Sequence, residues 1–447
     1  MKAVEFKNVY FRYGPDQKTI LRDVNLALDY GKVVLFAGPS GSGKTTLMSL
    51  LNGAIPNYVK GQFSGEILIN GESIYGKGIS ELSRSIGSVL QNADSQIVHD
   101  LVKDEIAFGQ ENTGIAPEQI TESVKKYTEM LKLDPLYRTR LLSGGQKQRL
   151  ITASTLAMEQ KIVILDEPLA NLDREGAGVV LGILKDLAHG EGYLVIIVEH
   201  RIDYIIDYVD EIYDFQDCAP VRVSRQGIIK KGQDSLGSFE EFVGTSGSGR
   251  TLLTAENICM TFGMRKVLEN ISLEIKEADR ILIMGENGCG KTTFTKILAR
   301  LMKPTSGNIS SVLGSRAGKS WFKQVGYVYQ NPDYQLFMPT AEREIDYACV
   351  SKELKDYVID RLELGEFLGC HSFSLSQGQK RKLAVAAIVC MQPKILFLDE
   401  PTVGQDNESL VNLIEVLLHL NKEYGTALVT VTHDSRCAVL GDKELSW

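Results

Sequence analysis

Long apolar runs are missing from this sequence. The longest, such as Leu194–Val198 and Ile395–Leu398, fall far short of the roughly 18–20 residues a helix needs to cross a bilayer, so no membrane span is expected. The opening MKAVEFKNVYFRYG places charged residues where a secretory leader would need an apolar stretch, and a cytoplasmic chain is expected. Positive charge is not in surplus. The 49 basic residues face 57 acidic ones, and a net charge of −8 opposes broad attraction to nucleic acid or anionic lipid. Cysteine is scarce: seven among 447 residues, an odd number with no C-x-x-C pair, form neither a disulfide framework nor a metal-ligand set. The low hydrophobicity of a disordered chain is absent too, with 43% hydrophobic and 24% charged residues. The length exceeds one ordinary core and predicts two or three units.

What is present is present twice. GPSGSGKT at Gly38–Thr45 and GENGCGKT at Gly285–Thr292 both fit G-x-x-x-x-G-K-[ST], where average composition gives roughly 0.03 chance matches per chain. Gln91 and Gln330, LSGGQ from Leu142 and LSQGQ from Leu375, LDEP from Leu165 and from Leu398, and His200 and His433 follow in the same order. The partners lie 247 residues apart at the loop lysines, 239 at the glutamines and 233 from the signature serines to the histidines. The chain is therefore an internal duplication whose second copy has lost residues in two places. The small-residue stretch GTSGSGR at 244–250 marks the join, giving domains at 1–245 and 251–447 with a linker at 246–250. In each half the apolar segments VVLFAG, IVILDE and LVIIVEH, matched by ILIMG, ILFLDE and ALVTVTH, are expected to be buried parallel strands of an α/β core.

A strand, then the glycine loop, then a helix is the context in which backbone N–H groups and a helix N-terminus converge on phosphate oxygens. The loops Gly38, Pro39, Ser40, Gly41, Ser42, Gly43, Lys44, Thr45, Thr46 and Gly285, Glu286, Asn287, Gly288, Cys289, Gly290, Lys291, Thr292, Thr293 are the expected nucleotide sites. Lys44 and Lys291 are assigned to the β/γ-phosphates, Thr45 and Thr292 to Mg²⁺. At the strand ends, Asp166 and Asp399 are expected to hold the metal, and Glu167 and Glu400 to polarise water. Each signature segment opens a helix, and a helix cap alone would explain its serine. A cap does not explain its repetition upstream of both acid pairs.

Phosphate loop, glutamine, LSGGQ, LDEP and histidine in this order, twice over, make the chain resemble the ATP-binding-cassette (ABC) ATPases along nearly its whole length. The resemblance implies two nucleotide-binding domains, each a RecA-like parallel-sheet core with an antiparallel β subdomain and a helical signature subdomain. It also implies that the cassettes pair within the chain, head to tail, with Ser143 and Gly145 facing the nucleotide on Lys291, and Ser376 and Gly378 the one on Lys44. Gln91 and Gln330 would contact metal and water, His200 and His433 the γ-phosphate, and Asp173 and Asp406 the pairing interface. Tyr13 and Phe262 stand where the family stacks an aromatic ring on adenine, though either could equally be an edge-strand core residue. Gln377 replaces the first copy's Gly144, an expected source of inequality between sites.

After each glutamine, QNADSQI and QNPDYQL resemble the Q-N-x-D-x-Q-[IL] pattern of energy-coupling-factor (ECF) ATPases. That resemblance implies an ATP-hydrolysing importer motor on the cytoplasmic face of the membrane, taking up a vitamin or metal ion. Its partners would be a transmembrane coupling (T-type) subunit and a small substrate-binding membrane protein, with no nucleic acid. Asp94, Gln96, Asp333 and Gln335 would have a coupling role, or would only cap the next helix. The alternatives are a soluble tandem ABC ATPase acting on ribosomes, against which the short Gly/Ser linker and the net charge speak, and the motor of a conventional ABC transporter.

Overall fold

Apolar and polar residues largely alternate in Lys2–Arg12 (β1) and Leu21–Asp29 (β2), and these strands bury most of their apolar side chains, with register shifts interrupting the alternation. The next strand, Lys32–Ala37 (β3), is apolar on both faces and lies inside the molecule. The computed structural model describes residues 2–15, 18–169, 172–236, 249–263, 265–285, 288–432 and 434–446. They form two compact units, Met1–Gly232 and Gln233–Trp447. Of the linker expected at 246–250, residues 246–248 lie outside the described residues.

The first unit continues with Gln62–Ile69 (β4), Glu72–Ser73 (β5), Ile86–Val89 (β6), Ile162–Asp166 (β7), Leu194–Val198 (β8), Glu211–Gln216 (β9) and Ala219–Val223 (β10). An antiparallel sheet, β2-β1-β4-β5, packs beside a sheet ordered β10-β9-β3-β8-β7-β6, in which β10 alone runs antiparallel to its neighbour. Two apolar clusters cover the larger sheet. One, around Phe6, Phe36, Leu47 and Ile196, joins it to the antiparallel sheet. The other, around Leu150, Leu165, Leu184 and Ile197, joins it to the helices. Fully burying one such side chain contributes about 1.5–3 kcal/mol.

The second unit has β11 (Thr251–Phe262), β12 (Arg265–Lys276), β13 (Arg280–Met284), β14 (Ser306–Ser311), β15 (Val325–Val328), β16 (Ile395–Asp399), β17 (Ala427–Val431) and β18 (Lys443–Ser446). An antiparallel sheet β12-β11-β14 accompanies a parallel sheet β15-β16-β17-β13-β18. Each unit adds a helical portion ending in the signature helix, Gly144–Ala157 or Gln377–Val389. This is the α/β architecture the resemblance implied. The helix Arg225–Leu236, by contrast, was not anticipated from the sequence.

Register decides where the chemistry gathers. Phe36 and Asp166 both pair with Val198, and Ile283 and Asp399 both pair with Val431. The strands bearing the glycine loop and the acid pair therefore end level with each other, on either side of the strand that runs into the histidine.

Candidate nucleotide sites

Gly43 ends the first loop at φ 105°, and a Cβ there would come within 3.0 Å of the Ile20 carbonyl and the Leu21 side chain. Gly290 repeats this at φ 107°, with Leu268 at 2.8 Å. Only glycine fits a left-handed turn so close to another strand, and the turn leads directly into the helices Lys44–Leu51 and Lys291–Leu298. Lys44, 4% exposed, donates to the carbonyls of Gly38 (2.9 Å) and Pro39 (2.7 Å) and to Ser42 Oγ (3.3 Å). Lys291 donates to the Gly285 carbonyl (2.7 Å) and reaches Cys289 Sγ at 3.8 Å. Both lysines fold back over their own loops.

Thr45 Oγ1 donates to Asp166 Oδ2 at 3.0 Å, while Asp166 Oδ1 is buried with no hydrogen-bond partner. Burial, reinforced by the charge of Glu167, pushes the Asp166 carboxyl up to about 6. A buried acceptor with no donor is costly and calls for a cation. In the second unit Thr292 Oγ1 donates to Asp399 Oδ1 (2.8 Å), but the Tyr327 hydroxyl donates to Asp399 Oδ2 (3.3 Å) and lies 3.2 Å from Thr295 Oγ1. Burial again raises the carboxyl, partly offset by the Thr292 hydrogen bond. The residues 239 before Tyr327 and 247 before Thr295 are Ser88 and Met48, so the first site has no counterpart of this network.

Glu167 and Glu400 both adopt φ 49°, a left-handed conformation that glutamate rarely takes. Their backbone N–H groups are fixed on the Val198 carbonyl (2.9 Å) and the Val431 carbonyl (2.8 Å). His200 Nε2 stands 3.5 Å from Glu167 Oε1. Burial pushes the Glu167 carboxyl up, but hydrogen bonds from His200 and Gln91 and the charge on Lys44 outweigh it, leaving it below its ordinary value. Lys44, Thr45, Gln91, Asp166, Glu167 and His200 thus converge. In the second unit Lys291, Thr292, Asp399 and Glu400 gather likewise, whereas Gln330 is exposed. Glu286, Asn287 and His433 lie outside the described residues.

Ser143 and Ser376 are exposed N-caps of the signature helices, each closing a reciprocal capping box with Gln146 or Gln379. Gly145 and Gly378 lie in the first turns of these helices. Asp173 and Asp406 cap the next long helices, accepting from Gly176 N (2.8 Å) and Ser409 N (2.7 Å). Tyr13 is 39% exposed, donates to or accepts from Thr46 Oγ1 at 2.8 Å and packs edge-on against Phe11; Phe262 is 48% exposed. A ring held at one edge with an open face suits stacking.

The loops after the glutamines are built alike in both units. Gln96 accepts from Leu90 N (2.7 Å) and donates to the Ser88 carbonyl (3.1 Å); Gln335 accepts from Tyr329 N (2.9 Å) and donates to the Ala384 carbonyl (3.0 Å). Asp94 pairs with Lys147 (2.5 Å) and Asp333 with Lys380 (2.8 Å), tying each loop to its signature helix. Buried Glu105 and Glu344 accept the next backbone N–H groups, those of Val98 and His99 and of Phe337 and Met338. Beside each loop, exposed apolar residues stand at matching positions: Val98 and Phe108, and 239 positions later Phe337 and Tyr347, are all at least 40% exposed. Lys147, Lys380 and these outward residues were missed in the sequence, although the 233-residue offset could have paired the lysines and the 239-residue offset the outward residues. Among the described residues no helix is long and apolar enough to cross a membrane.

Residues 21–170 and 268–403 each match the family described as ABC transporter. A Treponema denticola protein provisionally named an ABC transporter ATP-binding protein is 32% identical, over 96% of this chain and 92% of its own. Bacillus subtilis YkoD, provisionally named an HMP/thiamine import ATP-binding protein, is 30% identical over 95% of this chain and 86% of its own. Among solved structures, a chain of ribosome-bound archaeal Pelota and ABCE1 superimposes with a TM-score of 0.73 at 24% identity, covering 98% of this chain and 76% of that one. The RNase-L inhibitor gives 0.69 at 22%, covering 98% and 87%. These two likenesses bear on fold alone.

Proposed function

Since the chain belongs to the ABC transporter family and is an ATPase with a cassette in each half, we propose that it is the motor of an ECF-type importer, hydrolysing ATP at two composite sites to drive uptake of a vitamin or metal ion through separate membrane subunits. One observation carries this reading: both cassettes expose apolar residues at matching positions beside a rigidly held Q-N-x-D-x-Q loop, which we take as docking surfaces for helices of a membrane partner. The name of the B. subtilis relative supports a micronutrient as cargo. A ribosomal role finds no support in the net charge of −8.

At the first site, Thr45, Gln91 and the free oxygen of Asp166 fit Mg²⁺; at the second, Thr292, Gln330 and Asp399 take these places. When bound, Mg²⁺ neutralises phosphate oxygens. Lys44 and Lys291 bind the β/γ-phosphates, and Tyr13 and Phe262 stack on adenine. Glu167 and Glu400 accept the proton of the attacking water, and His200 and His433 hold the γ-phosphate. Ser143 and Gly145 complete the second site from across the cassette pair, as Ser376 and Gly378 complete the first. A polyanion held from both sides favours the closed pair, and hydrolysis removes that bias.

Affinity purification of the tagged chain from detergent-solubilised cells tests the reading. Recovery of a polytopic coupling subunit with a small membrane protein is the expected result; ribosomal proteins with no membrane partner would overturn the importer. A second test uses Cys289, half-buried in the second loop beside Lys291, where the first loop has Ser42. A maleimide adduct there fills the phosphate cradle. Alkylation is expected to inactivate, MgATP to protect, and Cys289→Ser to abolish the inhibition; inhibition that survives in Cys289→Ser refutes the assignment.

A further inference from the structure

The two neighbours of His200 are buried charges that the ATPase chemistry leaves unused. Arg201, 8% exposed, donates through Nη1 to the backbone carbonyls of Leu169 and Leu172, each at 2.9 Å. Its guanidinium lies 3.6 Å from the centre of the Tyr204 ring. Glu199, 3% exposed, works from the other side: its carboxylate accepts from the N–H groups of Leu169 (3.2 Å), His200 (2.8 Å) and Arg201 (3.1 Å). Leu169 is therefore gripped at both its N–H and its C=O by the residues flanking His200. These leucines belong to the stretch that begins at Glu167 and ends at Asp173, the cap of the helix Arg174–Glu191.

Burying an arginine and a glutamate costs several kcal/mol in desolvation, and apolar residues of similar size would stabilise the fold as well or better. What the two buried charged side chains provide here is geometry, each of them bonding backbone groups. The two N–H groups of a guanidinium nitrogen are locked in one plane, so Nη1 serves both carbonyls at fixed angles, whereas the donors of an ammonium rotate freely. We propose that Arg201 is a positioning residue of the first ATP site, clamping Leu169 and Leu172, which lie between Glu167 and Asp173 in the sequence, to the strand end that bears His200. Glu167 and His200 then keep their mutual placement whenever Asp173 is pulled by whatever it meets.

The second unit reaches the same end differently. The position matching Arg201 is Asp434, and Arg436 pairs with it while donating through Nη1 to Asn407 Oδ1 at 2.7 Å, at the start of the helix after Asp406. Arg436 reaches a side-chain amide at the helix start, where Arg201 reaches backbone carbonyls.

The inference rests on the roles given above to Glu167 and His200, and its test separates the two. Steady-state ATP turnover and hydrogen exchange are measured for the full chain carrying Glu400→Gln, which silences the second site, alone and together with Arg201→Ala, Arg201→Lys or Glu167→Gln. Arg201→Ala should lower kcat about tenfold with KM for ATP within about twofold, and Arg201→Lys should recover less than half of the loss. Peptides covering 168–175 should exchange faster in both arginine variants, with the rest of the first unit unchanged. If Arg201→Ala does not fold, Arg201→Lys carries the test. Should Glu167→Gln keep its turnover, the site assignment fails and the clamp with it. Should Glu167→Gln be inactive while the arginine variants turn over normally, or lose kcat only in step with ATP-binding stoichiometry, the clamp alone is wrong.

Discussion

Replacing both Glu167 and Glu400 by glutamine is expected to cut ATP turnover by about 10²–10⁴-fold, the usual contribution of a positioned general base. Glutamine fills the same space but cannot take a proton. The Glu167 carboxyl is suited to the task because His200, Gln91 and Lys44 hold it ionised in a buried site, beside an aspartate whose own carboxyl burial pushes up. Removing its charge also relieves repulsion on Asp166, so ATP should still bind, at least as tightly as before. Binding retained while turnover is lost is the signature to look for, by equilibrium dialysis alongside phosphate release. Glu400→Gln alone should also lower turnover, because the second site has its own loop, acid pair and strained glutamate. Unchanged turnover in that variant would mean that the second site does not hydrolyse ATP.

Trp321→Ala carries the largest expected cost in stability, about 3–5 kcal/mol. The side chain is 1% exposed within the apolar cluster of the second unit; its indole N–H donates to the Ala299 carbonyl at 3.0 Å, and the Arg300 guanidinium lies 4.0 Å from the ring centre. Truncation leaves a cavity, an unmade hydrogen bond and an arginine without its ring. For a unit of this size about 2–4 °C is lost per kcal/mol, so its thermal transition should fall by about 6–20 °C. Calorimetry should show the first unit's transition unmoved, since no atom of that unit is altered. Trp321→Phe should cost less, as it keeps most of the apolar volume.

The duplication, both phosphate loops, both acid pairs and the parallel strands carrying them were legible in the sequence because each is written in neighbouring residues. A glycine loop, an apolar run ending in two acids and a capped helix announce themselves within a dozen positions. What was not legible depends on residues far apart in the chain. Arg201 meets Leu169 across 32 positions, and the Tyr327 hydroxyl meets Asp399 across 72. No spacing rule predicts either contact. The Q-N-x-D-x-Q loops show a different limit: a polar side chain looks the same in a sequence whether it serves a partner or its own backbone. Gln96 and Gln335 bond backbone groups at a strand end and, for Gln335, within the signature helix, instead of capping the next helix, and only the fold reveals the exposed apolar residues near them.

The tyrosine beneath Asp399 also bears on how duplicated halves grow apart. Every residue expected to touch phosphate or metal has a like-for-like twin, apart from Pro39/Glu286, Ser40/Asn287 and Ser42/Cys289, yet one layer deeper Ser88 and Met48 stand against Tyr327 and Thr295. A cation reaching Asp166 finds a vacant oxygen, whereas at Asp399 it meets a carboxylate with both oxygens already engaged. The halves are thus not interchangeable spare parts. A chain assembled from two first halves would keep the whole visible catalytic inventory and still lose the built-in difference by which one chamber can be told from the other.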